Sequence, residues 1–383
     1  MTQVLETITR RRGPGAGAGL AVVSHGEVLI DVSAGESSPG IAWTSDSLAV
    51  TWSAVKPVVA ATLMLLASEG AIDLDAPISA VWPEFAAKGK HAVTLRHALT
   101  HTAGLPFWPR YQELCVFGGD ADWAESEAVE EAIADAPLQW TPGRAVGYHA
   151  FTVGWIAEGV CRRATGESVK VHLSRLVSEP LGLRLALGAP TGWRADVAAM
   201  RTPVTDGDTS GLEQLWDPDT MAGAAVLSAH PRSWESISEI ANGERFAEGG
   251  AAAAAGFTTA RALAGFWDAT WNSPTLEPVR MESARMPIEG EDLVLRSHTR
   301  RLGANMLATP DQPWAPFPRA WGHSGLGGQM GFGDPVSGIG VAFISNTPAY
   351  WEGSDADLAK IVEALAGFFR PPGRGTDPKS TAA

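Results

Sequence analysis

Apolar and polar positions follow different periods at the ends of this chain and in its middle. Residues 2–11 carry apolar side chains at helical spacing, which predicts a short helix, and Gly13 to Gly19 predict a flexible turn. Gly19–Val23 and Glu27–Val32 then read as two strands of a hairpin around His25-Gly26. From Ser53 to Gly70 the apolar residues recur on a helical period with glycine at the stop. Further helical stretches are expected at Thr94–Thr100, at 124–136, at 151–165 and at Thr258–Trp271. Ala251–Ala255 reads as a packed small-residue segment, whereas 186–250 mixes apolar pieces with Pro, Gly and Asp and yields no order of elements. After Glu291 strand signals return at Leu293–Arg296, Gly303–Leu307, Gln329–Phe332 and Ile339–Ser345, before a helix at Asp355–Phe369.

Strands at both ends with helices between them predict an α/β fold. Its antiparallel sheet would be built from both termini, flanked by helices and interrupted by an inserted, mainly helical lobe. The expected division is a sheet lobe at 1–60 and 265–370, a helical lobe at 61–264 and a disordered tail at 371–383.

Composition narrows the partners. The chain has 383 residues, 45% hydrophobic and 19% charged, as a soluble globular protein does. A net charge of −14 opposes nucleic acid or an anionic membrane as partner, and Arg10-Arg11-Arg12 reads as a solvated helix end. The two cysteines, Cys115 and Cys161, have no metal-ligand spacing and read as buried structural thiols; no metal or cofactor is expected. The amino-terminal stretch lacks a secretory pattern and no apolar run is long enough to span a bilayer, so a cytoplasmic location is expected. Nothing in the sequence indicates an oligomeric state.

The chemistry concentrates in three segments. Ser53-Ala54-Val55-Lys56 puts a hydroxyl and an amine three residues apart on one helical face, the arrangement in which a lysine can help deprotonate a serine. Gly147-Tyr148-His149-Ala150 follows a Pro-Gly turn and leads into a helix. Gly322-His323-Ser324-Gly325-Leu326-Gly327-Gly328 precedes a strand.

In that order the three segments resemble those of the class C β-lactamases and penicillin-recognising serine hydrolases, in particular the esterase branch, the family VIII carboxylesterases. Leu95–Pro106, Gly70–Pro77 and Gly331–Pro335 add to the likeness, which runs from about Gly17 to about Thr347. The resemblance implies a β-lactamase/transpeptidase-like fold with Ser53 as the acylated nucleophile. It implies that Lys56 keeps Ser53 poised and lowers the pKa of Tyr148, whose phenolate would be the general base. It also places His323, Ser324 and Gly325 at the family's Lys-Thr-Gly strand, with the N–H groups of Ser53 and Leu326 as oxyanion hole. His101 is expected to be a structural histidine.

Two departures from the family pattern bear on substrate. The asparagine expected two residues after the tyrosine is Ala150, and the lysine of Lys-Thr-Gly is His323, so a permanent cation is missing. Both favour uncharged esters or amides over penicillins. The expected activity is hydrolysis of a small-molecule carboxylic ester or amide through an acyl-enzyme. The alternative is a cofactor-independent acyltransferase passing the acyl group to an alcohol or amine; a β-lactamase or DD-peptidase ranks below both. An α/β-hydrolase built on Ser324 is disfavoured, because Leu326 stands where its nucleophile elbow needs glycine and no histidine follows His323. Pro57, directly after Lys56, predicts local distortion at the nucleophile.

Overall fold

The computed structural model describes residues 1–108, 127–202, 217, 219–227, 234–249, 251–349 and 351–369. Cys115 and the tail expected to be disordered lie outside them.

The hairpin expected at His25-Gly26 organises the sheet. β1 (Gly17–Ser24) and β2 (Glu27–Ser38) pair antiparallel, and both turn residues have positive φ, 50° and 80°. Two such residues give a turn whose twist matches that of the strands. The Asp268 carboxylate accepts from both turn N–H groups at 2.8 Å, tying the hairpin to the helix Ala260–Asn272.

Beyond β3 (Ile41–Ala42), the sheet is completed from the other end of the chain. Its further strands are β7 (Pro287–Glu291), β8 (His298–Leu302), β9 (Asn305–Leu307), β10 (Trp321–Gly325), β11 (Gln329–Asp334) and β12 (Ile339–Ser345). The order of the nine strands is β3-β2-β1-β12-β11-β10-β9-β8-β7, so β1 pairs antiparallel with β12 across the centre. On one face the helices Thr2–Arg11 and Trp351–Phe369 bury Leu5, Ile8, Leu358 and Ile361 against Leu20, Phe332, Val341 and Phe343. On the other lies Ala260–Asn272, close enough that a Cβ on Gly340 would meet the Ala264 carbonyl oxygen at 2.1 Å. Residue 265 falls within this helix and residue 61 within the helix Lys56–Ser68.

A second sheet, unforeseen from the sequence, joins β4 (Ala49–Val50), β5 (Leu185–Leu187) and β6 (Gly256–Thr258) in the order β4-β6-β5. It fixes the approach to Ser53, because Thr51 N–H donates to the Gly256 carbonyl at 2.8 Å. Ala251–Ala255 is buried throughout and packs on the helix Thr152–Thr165, where a Cβ on Gly154 would lie 2.5 Å from the Ala253 nitrogen.

Leu293–Arg296 is not a strand but the turn between β7 and β8. Asp292 Oδ1 accepts from the N–H groups of Val294 and Leu295 at 3.0 and 2.9 Å, which captures donors that a ladder would need. Among the described residues no helix is long and apolar enough to cross a membrane.

Candidate active site

Ser53 sits in a 3-10 turn, Trp52–Val55, that runs directly into the helix Lys56–Ser68. The backbone distortion expected at Pro57 lies five residues earlier in the preceding turn: Lys56 is regular helix (φ −54°, ψ −42°), whereas Trp52 has φ 48°. Pro57 falls in the first turn, where its missing N–H costs no helical bond. A buried tryptophan in the left-handed region is strained by about 1–3 kcal/mol, which the packing around it must hold. That bend presents Ser53, the half-buried residue that follows.

Lys56 Nζ lies 2.8 Å from Ser53 Oγ and donates to the Ala253 carbonyl, also at 2.8 Å. The lysine is buried, and among the described residues no carboxylate is within ion-pair distance of it. Burial, followed by the charge of Arg301, holds its pKa well below 10.5. The anchoring carbonyl of Ala253 was beyond sequence reading, although the alanine run that presents it was recognised as packed.

Tyr148 reaches the same place from the loop before Thr152–Thr165. Its hydroxyl faces Ser53, which pulls its pKa down, and its ring has Lys56 Nζ at 5.2 Å and the Arg301 guanidinium carbon at 5.6 Å from the centroid. The loop is pinned by its backbone: Tyr148 N–H donates to Asp292 Oδ1 at 3.0 Å, Gly147 N–H to the His101 carbonyl at 3.0 Å, and His149 N–H to His101 Nδ1 at 3.1 Å. His149 adds a further tie, since its Nδ1–H donates to the Gly147 carbonyl at 2.6 Å while Nε2 accepts from Leu105 N–H. It is held neutral by burial, its pKa lowered to about 4. His101 is thus a strut for this loop, with φ 59° and a buried ring. Ala150 is buried and brings no amide to the site.

Burial acts on both members of the pair, whose expected charge is a phenolate at Tyr148 beside Lys56. Burial pushes the Tyr148 phenol up to about 12, against the opposing pull of its Ser53 hydrogen bond and Arg301. Together with the depressed Lys56, this environment favours a neutral phenol beside a neutral amine.

β10 closes the site. His323 is buried, and its Nδ1–H donates to the Ser324 carbonyl at 2.6 Å, so Nε2 carries the lone pair. Burial and the charges of Arg301 and Lys56 hold its pKa well below 6.5. Ser324, Gly325 and Leu326 are half-buried, and a Cβ on Gly325 would stand 2.1 Å from the Thr51 carbonyl oxygen and 3.2 Å from the Ala54 nitrogen. Glycine is therefore what lets the end of β10 lie against the turn bearing Ser53. Gly325→Ala should separate the two and lower kcat/KM about 10²-fold, the usual cost of a displacement near 1 Å. Steady-state assay beside a thermal melt checks this, and unchanged kcat/KM would remove the close approach from the account.

Arg301 is the charged group the sequence did not reveal. It lies on β8, is buried, and uses Nε on Thr299 Oγ1 at 3.2 Å. An arginine next to Arg300 on a short strand carries no motif. The polar run His298-Thr299-Arg300-Arg301 shows no apolar alternation, and the inward direction of Arg301 emerges only in the folded strand, where exposed and buried positions alternate. Cys161 is a buried free thiol, and the described residues contain no cluster of three or more His, Cys, Asp or Glu able to hold a metal ion.

The β-lactamase family model matches residues 6–366. The esterase/β-lactamase LipL of Mycobacterium tuberculosis is 28% identical over 363 residues, which cover 88% of this chain and 78% of LipL. Among solved structures, a family VIII carboxylesterase superposes with a TM-score of 0.75 at 27% identity, covering 91% of this chain and 92% of its own. A penicillin-binding protein homologue from Caulobacter crescentus gives a TM-score of 0.74 at 28% identity, covering 94% and 95%.

Proposed function

We propose that this chain, which belongs to the β-lactamase family, is a serine hydrolase that cleaves carboxylic esters through an acyl-enzyme on Ser53. The observation that carries the reading is the 2.8 Å contact between Ser53 Oγ and a buried Lys56 Nζ that has no carboxylate partner among the described residues. In water a lysine is protonated at pH 7 and cannot accept a proton; here burial favours the amine. The esterase relatives support the ester as the bond cleaved.

In this mechanism the Lys56 amine takes the Ser53 hydroxyl proton as Oγ bonds to the ester carbonyl carbon. The carbonyl electron pair moves to oxygen, where the N–H groups of Ser53 and Leu326 would receive the negative charge. The close seating of Gly325 against the Thr51–Ala54 turn supports that pairing. On collapse the C–O bond to the alcohol breaks, and the proton passes from Lys56 to the departing alkoxide, with the Tyr148 hydroxyl as the relay between them. Water then repeats the sequence on the acyl-enzyme and releases the acid.

Substrate preference follows from what flanks Ser53. Ala150 offers no amide to a lactam side chain, and neutral His323 offers no cation at the strand. Uncharged p-nitrophenyl esters should therefore exceed nitrocefin in kcat/KM by about 10²-fold or more, on the scale of lost polar recognition. Parallel assays with acyl chains of several lengths test this, and faster turnover of nitrocefin would sink the ester assignment.

A further inference from the structure

We propose that Arg301 is a positioning residue of the acylation step: the fixed positive charge that makes the Ser53–Lys56–Tyr148 cluster give up a proton and stand ready to receive that of Ser53. This deepens the serine-hydrolase reading and rests on it.

The guanidinium is placed for that task. Arg301 is 1% exposed, and with Nε engaged by Thr299, its Nη1 and Nη2 have no protein partner among the described residues. A buried cation left in this state is costly, and structural arginines are ordinarily paired. The carboxylate that acts on it is Asp292, which makes no ion pair with it at 4.0 Å or less and spends Oδ1 on three backbone N–H groups, including that of Tyr148. The other titratable groups facing the cluster are His101, His149 and His323, and each is held below its ordinary pKa by burial. Arg301 and Lys56 are thus the cations of the cluster, and only the lysine gives up its charge readily.

The consequence holds whichever group bears the final proton. Lys56 Nζ and the guanidinium carbon lie 5.2 and 5.6 Å from the same Tyr148 ring centroid, so they are at most about 11 Å apart. At that separation in a protein interior, one positive charge disfavours a second by about one pH unit, or about tenfold. It equally favours a phenolate at Tyr148. Either way, Arg301 lowers the pH at which the coupled pair loses its proton. The position where the family resemblance expects a lysine holds neutral His323, so the charge has been supplied from β8 instead of β10.

The test is the pH dependence of Ser53 labelling by a fluorophosphonate, read by intact mass and peptide mapping on the full chain. Labelling of the unaltered protein should rise with pH along an acid limb. In Arg301→Met that limb should move up by about one pH unit, slowing labelling about tenfold below it while the rate at high pH is regained. Arg301→Lys should return the limb toward its original place. Arg301→Gln, polar and uncharged, takes the place of Arg301→Met should the latter not fold by circular dichroism. A limb unmoved in the folded neutral variant, or equal slowing at every pH, would overturn the inference and leave Ser53 chemistry standing. Folded, unaltered protein that fails to label at Ser53 would instead overturn the serine-hydrolase reading, and this inference with it.

Discussion

Ser53→Ala should reduce ester kcat/KM by about 10⁵-fold or more, because without Oγ no acyl-enzyme can form. Serine nucleophiles removed singly from comparable sites cost on this scale, and what remains comes from substrate binding and carbonyl polarisation alone. The substitution is nearly neutral for the fold: Ser53 is half-buried in a 3-10 turn whose cap makes no side-chain hydrogen bond, so the melting temperature should stay within a few degrees. Ser324→Ala provides the control. Ser324 is half-buried on β10, and its loss should leave most of the activity and all of the fluorophosphonate labelling. Activity that survives Ser53→Ala and vanishes in Ser324→Ala would move the nucleophile to β10 and refute the mechanism.

How far this site could be read from sequence depends on how local each feature is. The hairpin at His25-Gly26 and the Ser53–Lys56 spacing are set by neighbours along the chain, and both appear where periodicity placed them. Tyr148 was reachable only through resemblance, because what brings it to Ser53 is a loop pinned by His101 and Asp292 from two distant segments. Leu293–Arg296 has the composition of a strand, yet one carboxylate at Asp292 turns it into a loop and, with the same oxygen, holds Tyr148. The small sheet escaped detection because two- and three-residue strands carry too little pattern. Charge is the least local feature. Lys56 and Tyr148 are shifted by desolvation and by Arg301, a residue 245 positions beyond Lys56 in the chain. Side-chain identities name the parts of the acid–base system, whereas burial weights where its proton rests.

The proposed base makes Lys56 the sharper test. Lys56→Met keeps the stem and removes the amine, and it should lower kcat/KM by about 10³–10⁴-fold, the range of a lost general base. Lys56→Arg should fare no better, since a guanidinium stays protonated and cannot take the Ser53 proton. Tyr148→Phe removes a hydroxyl that donates without needing to ionise, so its loss should be smaller, about 10–10²-fold. The order would invert if a Tyr148 phenolate were the base, because Phe cannot replace it and Lys56 would then only supply charge. The pH profile discriminates further. Lys56 is depressed well below 10.5, so the active, unprotonated form gains as pH rises through its lowered value, and activity should climb and level off below the ordinary lysine range. Tyr148 sits near 12, so a phenolate base would keep activity rising into strongly alkaline solution. A plateau reached by mildly alkaline pH, together with the greater loss in Lys56→Met, assigns the base to the lysine. Continued rise with the greater loss in Tyr148→Phe returns it to the tyrosine.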